Sequence, residues 1–386
     1  MSILIKNGQV WLEHTWGQSD IMVEDSKITE ISDSITSTAE QEIDAAGKFV
    51  LPGIIDCHVH LSMNGGSHPM ADMSKCREAE ALLVELKSAE ELVRSGITTV
   101  RDCGGIASES VVIRDAIAGG EIIGPRVIPC INAIKIPGGH FYGMEVTGPQ
   151  EARKAARVLI RDGAEFIKLM ATGGLGKIGE QPGVVELDVD EMKAAIDEGE
   201  KHGMASSAHC HSKAGMMNAL EAGISTLEHC TFLDDEVIDR ILEQDVFMVP
   251  TFSPYCQMDR YGLQNGVSPY MCKMSKEICA YKNETFPMAY EKGVKIAFGR
   301  DAGAPLTRHG EYFIEMTDME ATGMSRKDII ISATETAAKA LRIYNETGSL
   351  EAGKSADILL LYADPLQDLL NFKKVSAVIA AGRLIN

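Results

Sequence analysis

A chain of 386 residues is longer than one average domain but suits an α/β barrel with a small appended module, and 45% hydrophobic content allows a sizeable core. With 37 basic against 56 acidic residues the formal net charge is −19, which argues against nucleic acid and anionic membrane surfaces as partners. No run of about 18 apolar residues occurs, and "MSILIKNGQVWLEHTW" lacks the charged-then-apolar pattern of a secretory leader, so a cytoplasmic location is expected.

In chain order, residues 1–50 read as short strands with turns: "ILIKNGQVWLE", "DIMVEDSKITEIS" and "AAGKFVLPG". From residue 54 short apolar strands alternate with helical stretches. Strands are predicted at 54–59, 97–101, 126–131, 165–170, 204–209, 225–229, 246–250 and 294–299, with helices such as 78–95, 150–162, 189–202, 213–222 and 234–244 between them. Eight such units are the count of a (β/α)8 TIM barrel, with a doubly wound open sheet as the competitor. After residue 345 strands return in "ADILLLYAD" and "VSAVIAAGRLI". Residues 1–51 and 346–386 are therefore expected to pair into one small β-sandwich flanking a barrel of residues 52–345. Nine cysteines, none in a C-x-x-C pair, are expected as reduced thiols; neither disulfides nor zinc-thiolate sites are anticipated.

The polar residues at strand ends favour the barrel. In "GIIDCHVHL" residues i and i+2 of a strand share a face, so His58 and His60 converge on one point, the nucleus of a metal site. "AEFIKLMATGG" puts Lys168 inside an apolar strand, where an unpaired ammonium is costly. "MASSAHCHS" ends the fifth strand with His209 followed by His211, "ISTLEHC" ends the sixth with His229, and "VKIAFGRDAG" ends the eighth with Asp301. A single strand-end histidine or aspartate is usually a satisfied structural group. Five strands each offering such a residue at the end where barrel enzymes do chemistry point to a metal centre.

These segments, with "GSLEAGKSADILLL" near the C-terminus, resemble the amidohydrolase superfamily, in particular its imidazolonepropionase-like and prolidase-like branch, over nearly the whole chain. The resemblance implies a binuclear centre. His58, His60 and Asp301 would hold one divalent ion, His209 and His229 a second, and Lys168 would bridge both as a CO2-derived carbamate. Zinc is the expected ion, with manganese, cobalt and iron left open. Periodicity does not separate His209 from His211; the resemblance prefers His209 as ligand and leaves His211 to the substrate.

The resemblance thus implies a hydrolase in which a metal-bridged hydroxide attacks and Asp301 shuttles the proton to the leaving nitrogen. Because the bridging lysine accompanies two-metal amide hydrolases, the expected substrate is a small-molecule amide, a dipeptide or an N-acyl amino acid. Hydrolysis of a cyclic amide or deamination of a ring C=N bond is the alternative. The resemblance also makes His140, in "IPGGHFYG", a substrate contact. Tyr255, Arg308 and His309 are further candidates from loops after strands seven and eight. "GRD" departs from the branch's usual Gly-Thr-Asp or Gly-Ser-Asp, and Arg300 is expected to turn away from Asp301 into a structural ion pair outside the barrel. Lys177 and Glu180, in "GLGKIGEQPG", have no assigned role, and a homo-oligomer is left open.

Overall fold

In this computed structural model, residues 2–105, 109–176 and 179–385 are described. Strands from both ends of the chain pair into one eight-stranded mixed sheet. Its seam is the antiparallel pairing of Phe49–Pro52 with Ile358–Leu361, Leu51 lying opposite Leu359. Ile3, Ile5, Val10, Ile21 and Val23 from the N-terminal strands bury against Ile358, Leu360 and Ile379 from the C-terminal ones, a separate core beneath the sheet.

The intervening chain is TIM-barrel-like α/β. Parallel strands Ile54–Val59, Ile97–Asp102 and Arg126–Pro129 form one sheet. Phe166–Met170, Ala205–Cys210, Thr226–His229 and Phe247–Val249 form the body of a second, joined by the short strands Ala133–Lys135 and Gly143–Glu145. The eighth strand expected at 294–299 is instead an extended segment with isolated parallel bridges, Met248 to Ile296 and Val59 to Ala302. Gly299 accounts for part of this irregularity, since a Cβ there would lie 2.5 Å from Val249 and 3.1 Å from the His58 nitrogen; Asp301, at φ 58°, leaves the strand conformation altogether. Backbone hydrogen bonds still cross both seams between the sheets. Cys57 N–H donates to the Phe298 carbonyl and Ala297 N–H to that of Met248 on one side, and Glu165 N–H donates to the Pro129 carbonyl on the other.

The helices follow the apolar periodicity. Pro149–Arg161 opens with proline at its first turn and buries Ala152, Ala155, Ala156 and Leu159, the i, i+3, i+4, i+7 stripe of a core-facing helix. Glu78–Ser95 buries Ala81, Ala89, Leu92 and Val93, but also Glu85. Among the described residues Glu85 accepts one hydrogen bond, from Glu109 N–H, and its second oxygen has no partner. Burial, reinforced by the neighbouring Asp102 charge, pushes its carboxyl up to about 9. The folded protein therefore holds a proton that the unfolded chain releases above its ordinary 4.5, so stability falls as pH rises from about 4.5 to about 9. Glu85→Gln is expected to flatten that decline, measured by urea unfolding at two pH values inside the window.

Two features differ from expectation, the first of them on the long helix Pro269–Glu291. Cys256, on the helix Ser253–Tyr261, is disulfide-bonded to Cys279 across a Cα separation of 5.6 Å, which corrects the expectation of reduced thiols for this pair. The two residues are 23 apart in sequence, and only the packing of two consecutive helices brings them together. The other seven cysteines are free, and six of them are buried. Arg300 is fully buried and donates to the Arg308 carbonyl at 2.7 Å, while its Nε and Nη2 have no hydrogen-bond partner. Among the described residues the ion pair expected outside the barrel is therefore not formed: from Arg300, Asp56 accepts only the backbone N–H, and burial pushes its carboxyl up to about 7. Among the described residues no helix is long and apolar enough to cross a membrane.

Candidate metal centre

One cavity of about 60 Å³ is lined by His58, His60, Lys168, His209, His229 and Asp301. Each is 9% exposed or less. Neighbouring strands set them side by side: Lys168 pairs in register with Ser207, Met170 with His209, and Cys210 with His229. His58, His60 and Asp301 form one group of converging ligand atoms and His209, His211 and His229 another, all within 4.8 Å of one another in each.

The rings are oriented from behind. His58 Nδ1 lies 2.7 Å from Glu228 Oε2, and Glu228 also takes hydrogen bonds from Arg101, Ser207 and Thr226. Burial favours the neutral acid in Glu228, but the Arg101 guanidinium and the His58 ring outweigh it and hold the carboxyl well below its ordinary range. An ionised carboxylate only accepts, so Nδ1 carries the His58 proton. Burial and the Lys168 charge lower His58 to about 4, leaving a neutral ring with a lone pair on Nε2. That lone pair faces Asp301 Oδ1 at 3.7 Å; burial disfavours the Asp301 anion, yet the His58 and His60 rings hold its carboxyl down to about 2. Among the described residues neither Asp301 Oδ1 nor Lys168 Nζ makes a hydrogen bond. His60 Nε2 lies 3.2 Å from the same Asp301 oxygen, and such facing electron pairs on buried imidazoles and a carboxylate suit a cation.

The remaining ligand candidates are held in the same manner. His60 Nδ1 sits 2.7 Å from the Gly104 carbonyl and His229 Nδ1 2.6 Å from Thr251 Oγ1. His229 and Asp301 adopt left-handed backbones, φ 70° and 58°, a strain non-glycine residues carry at functional sites. Lys282, buried on the long helix, donates to the His229 carbonyl at 2.5 Å and to the Pro250 carbonyl, pinning the turn that aims His229. Burial depresses His209 and His229 well below the ordinary imidazole value, keeping both rings neutral.

The two histidines that periodicity left open differ here. Both ring nitrogens of His211 are taken, by Thr231 Oγ1 at 2.8 Å and Tyr255 OH at 3.1 Å, and the residue does not line the cavity. His209 has the Gly173 carbonyl 3.3 Å from its Nε2 and lines the cavity. Tyr255 and His140 line it as well; Arg308 and His309 do not. Arg308 is exposed, and His309 Nε2 turns to the Met63 carbonyl at 2.9 Å. Glu180 bonds His140, and Lys177 lies outside the described residues. Glu228 and Arg101 were missed from sequence although their signal was present, a glutamate and an arginine inside otherwise apolar strands.

Residues 49–385 match the Amidohydrolase family. The chain belongs to that family. This amidohydrolase is 26% identical to ochratoxinase of Aspergillus niger over 405 residues, covering 90% of the chain and 80% of that protein. It superposes on a Xaa-Pro dipeptidase solved with methionine in its active site at TM-score 0.90, with 31% identity and full coverage of both chains. A putative prolidase from Bifidobacterium longum gives TM-score 0.87 and 30% identity over 100% of this chain and 94% of that one.

Proposed function

We propose that this amidohydrolase cleaves the C–N amide bond of a dipeptide or an N-acyl amino acid, with His58, His60 and Asp301 holding one divalent ion, His209 and His229 a second, and a carboxylated Lys168 bridging them. The observation that carries this reading is the buried Lys168 Nζ, without a hydrogen-bond partner among the described residues, in a cavity lined by five imidazoles and a carboxylate. An ammonium there is costly, whereas a carbamate made from CO2 is an anion with two oxygens for two ions. The family membership and the likeness to a Xaa-Pro dipeptidase support the substrate class.

Two divalent ions would supply hydroxide near neutral pH and polarise the scissile carbonyl. We assign zinc, which suits imidazole and carboxylate donors. Asp301, ionised well below neutral pH, would take the hydroxide's remaining proton as it attacks and pass it to the leaving nitrogen. His140 contacts the substrate from the cavity wall. Tyr255, fixed by His211, borders the same space. Met63, Met70, Phe141, Met170 and Met258 make the rest of the wall apolar and exclude water around the scissile bond. We also read the two parallel sheets, with the 294–302 segment, as one (β/α)8 barrel over 52–345, residues 1–51 and 346–386 as its β-sandwich, and the cytoplasm as its location.

The test is a panel of dipeptides, N-acyl amino acids and cyclic amides on protein reloaded with zinc and bicarbonate. Close to two ions per chain, a carboxylated Lys168 by mass spectrometry and turnover of open-chain amides are expected. Chelation should abolish activity and reloading restore it. Lys168→Met should lower ion content and remove the bicarbonate dependence. One ion per chain with a free lysine, or turnover of ring substrates alone, would replace this reading with the cyclic-amide one.

A further inference from the structure

Glu180 sits in the Gly-rich loop after the strand Phe166–Met170, yet its carboxylate turns inward. Oε1 lies 2.6 Å from His140 Nδ1 and accepts Gly174 N–H at 3.1 Å, while Oε2 accepts Gly176 N–H at 2.7 Å. Tyr270, from the long helix, donates its hydroxyl to the Glu180 carbonyl at 2.8 Å, tying down the backbone. Burial works against the Glu180 anion, but the His140 ring and the two glycine amides hold its carboxyl down to about 2.

The His140 ring is confined on its other sides. It stacks on His209 with centroids 4.2 Å apart and planes at 29°. Gly174 lies against it so closely that a Cβ would fall 2.3 Å from His140 Cε1, which is why no side chain fits there. Both Glu186 oxygens receive the His140 backbone N–H, at 2.7 and 2.9 Å. Since an ionised carboxylate only accepts, the proton of this pair lies on Nδ1 and Nε2 is the ring's remaining polar atom.

We propose that Glu180 is a positioning residue: it fixes the His140 tautomer and directs the Nε2 lone pair to an N–H of the substrate, as Glu228 orients His58. The tautomer part stands on the hydrogen bonds alone; the substrate part rests on the proposed amide hydrolysis. Glu180 also braces the loop through Gly174 and Gly176, so a loss of activity in one variant would not distinguish orientation of His140 from scaffolding.

The experiment is a double-mutant cycle with a spectroscopic arm. Glu180→Ala is expected to lower kcat/KM on the best dipeptide or N-acyl amino acid of the panel on the order of 10-fold or more. Glu180→Gln, whose amide oxygen still accepts from Nδ1–H, should retain most of it. In a His140→Ala background, adding Glu180→Ala should cost nothing further; losses that multiply would make Glu180 a loop brace and overturn the proposal. In ¹⁵N-histidine spectra of the zinc-loaded protein, the His140 resonances should report a fixed Nδ1–H form that Glu180→Ala converts to an exchanging mixture. An unchanged spectrum in that variant overturns the proposal even if no panel member is turned over, so this outcome is separable from a failure of the substrate reading.

Discussion

Asp301→Asn is expected to lower kcat by about 10²–10⁴-fold, the range removed with a positioned acid–base group, while ion content stays near that of the parent protein. The amide keeps the shape of the side chain and an oxygen for the ion, but it has no basic oxygen to take up a proton. The carboxylate's advantage is its ionisation: burial resists it, yet the imidazoles of His58 and His60 hold it down to about 2, so it is available as a base throughout the neutral range. The effect should fall on kcat with little change in KM, because the proton moves only during the reaction. Steady-state kinetics with metal analysis on the same preparation checks both halves. Full activity in the variant would remove Asp301 from proton transfer.

Arg101→Leu is expected to destabilise the fold by about 3–5 kcal/mol, the cost of leaving a buried charge without its partner. Arg101 and Glu228 are both wholly buried and 2.6 Å apart, and the guanidinium also bonds Thr226 and the Cys57 carbonyl. In the parent protein the Glu228 carboxyl is held below its ordinary 4.5, so its contribution to stability is complete above about pH 4.5 and is lost as pH falls through the depressed folded value. Without Arg101 burial prevails, the acid takes up a proton at higher pH, and the acid limb of the stability profile moves up. Urea unfolding across pH measures the midpoint and the limb together. Exchanging both residues for leucine should recover part of the stability but not ion binding, because His58 would lose the carboxylate that fixes its tautomer.

How far the site was legible depended on what each residue was attached to. His58, Lys168, His209, His229 and Asp301 are polar groups closing or interrupting apolar strands, and strand order alone carries them to one cavity. Arg308 and His309 sit beyond Asp301 on a path bent by left-handed residues at Gly303 and Leu306, a trajectory no periodicity reveals. The irregular eighth segment has the apolar texture of a strand, and the close packing of Gly299 against Val249 belongs to tertiary structure alone. The Cys256–Cys279 bond was hidden for the same reason. Helices 78–95 and 213–222, by contrast, coincide with their predicted bounds because each ends on a left-handed glycine, Gly96 and Gly223.

The pairing of Phe49–Pro52 with Ile358–Leu361 bears on biosynthesis. Only Gly53 separates the first of these strands from Ile54–Val59, which carries His58. During translation the early strands emerge with an apolar edge whose antiparallel neighbour is still some 300 residues from being made. Until Ile358–Leu361 clears the ribosome, that edge is open to wrong pairings. Synthesis of Ile358–Leu361, rather than of the last barrel segment, is therefore the step that supplies this edge with its native neighbour.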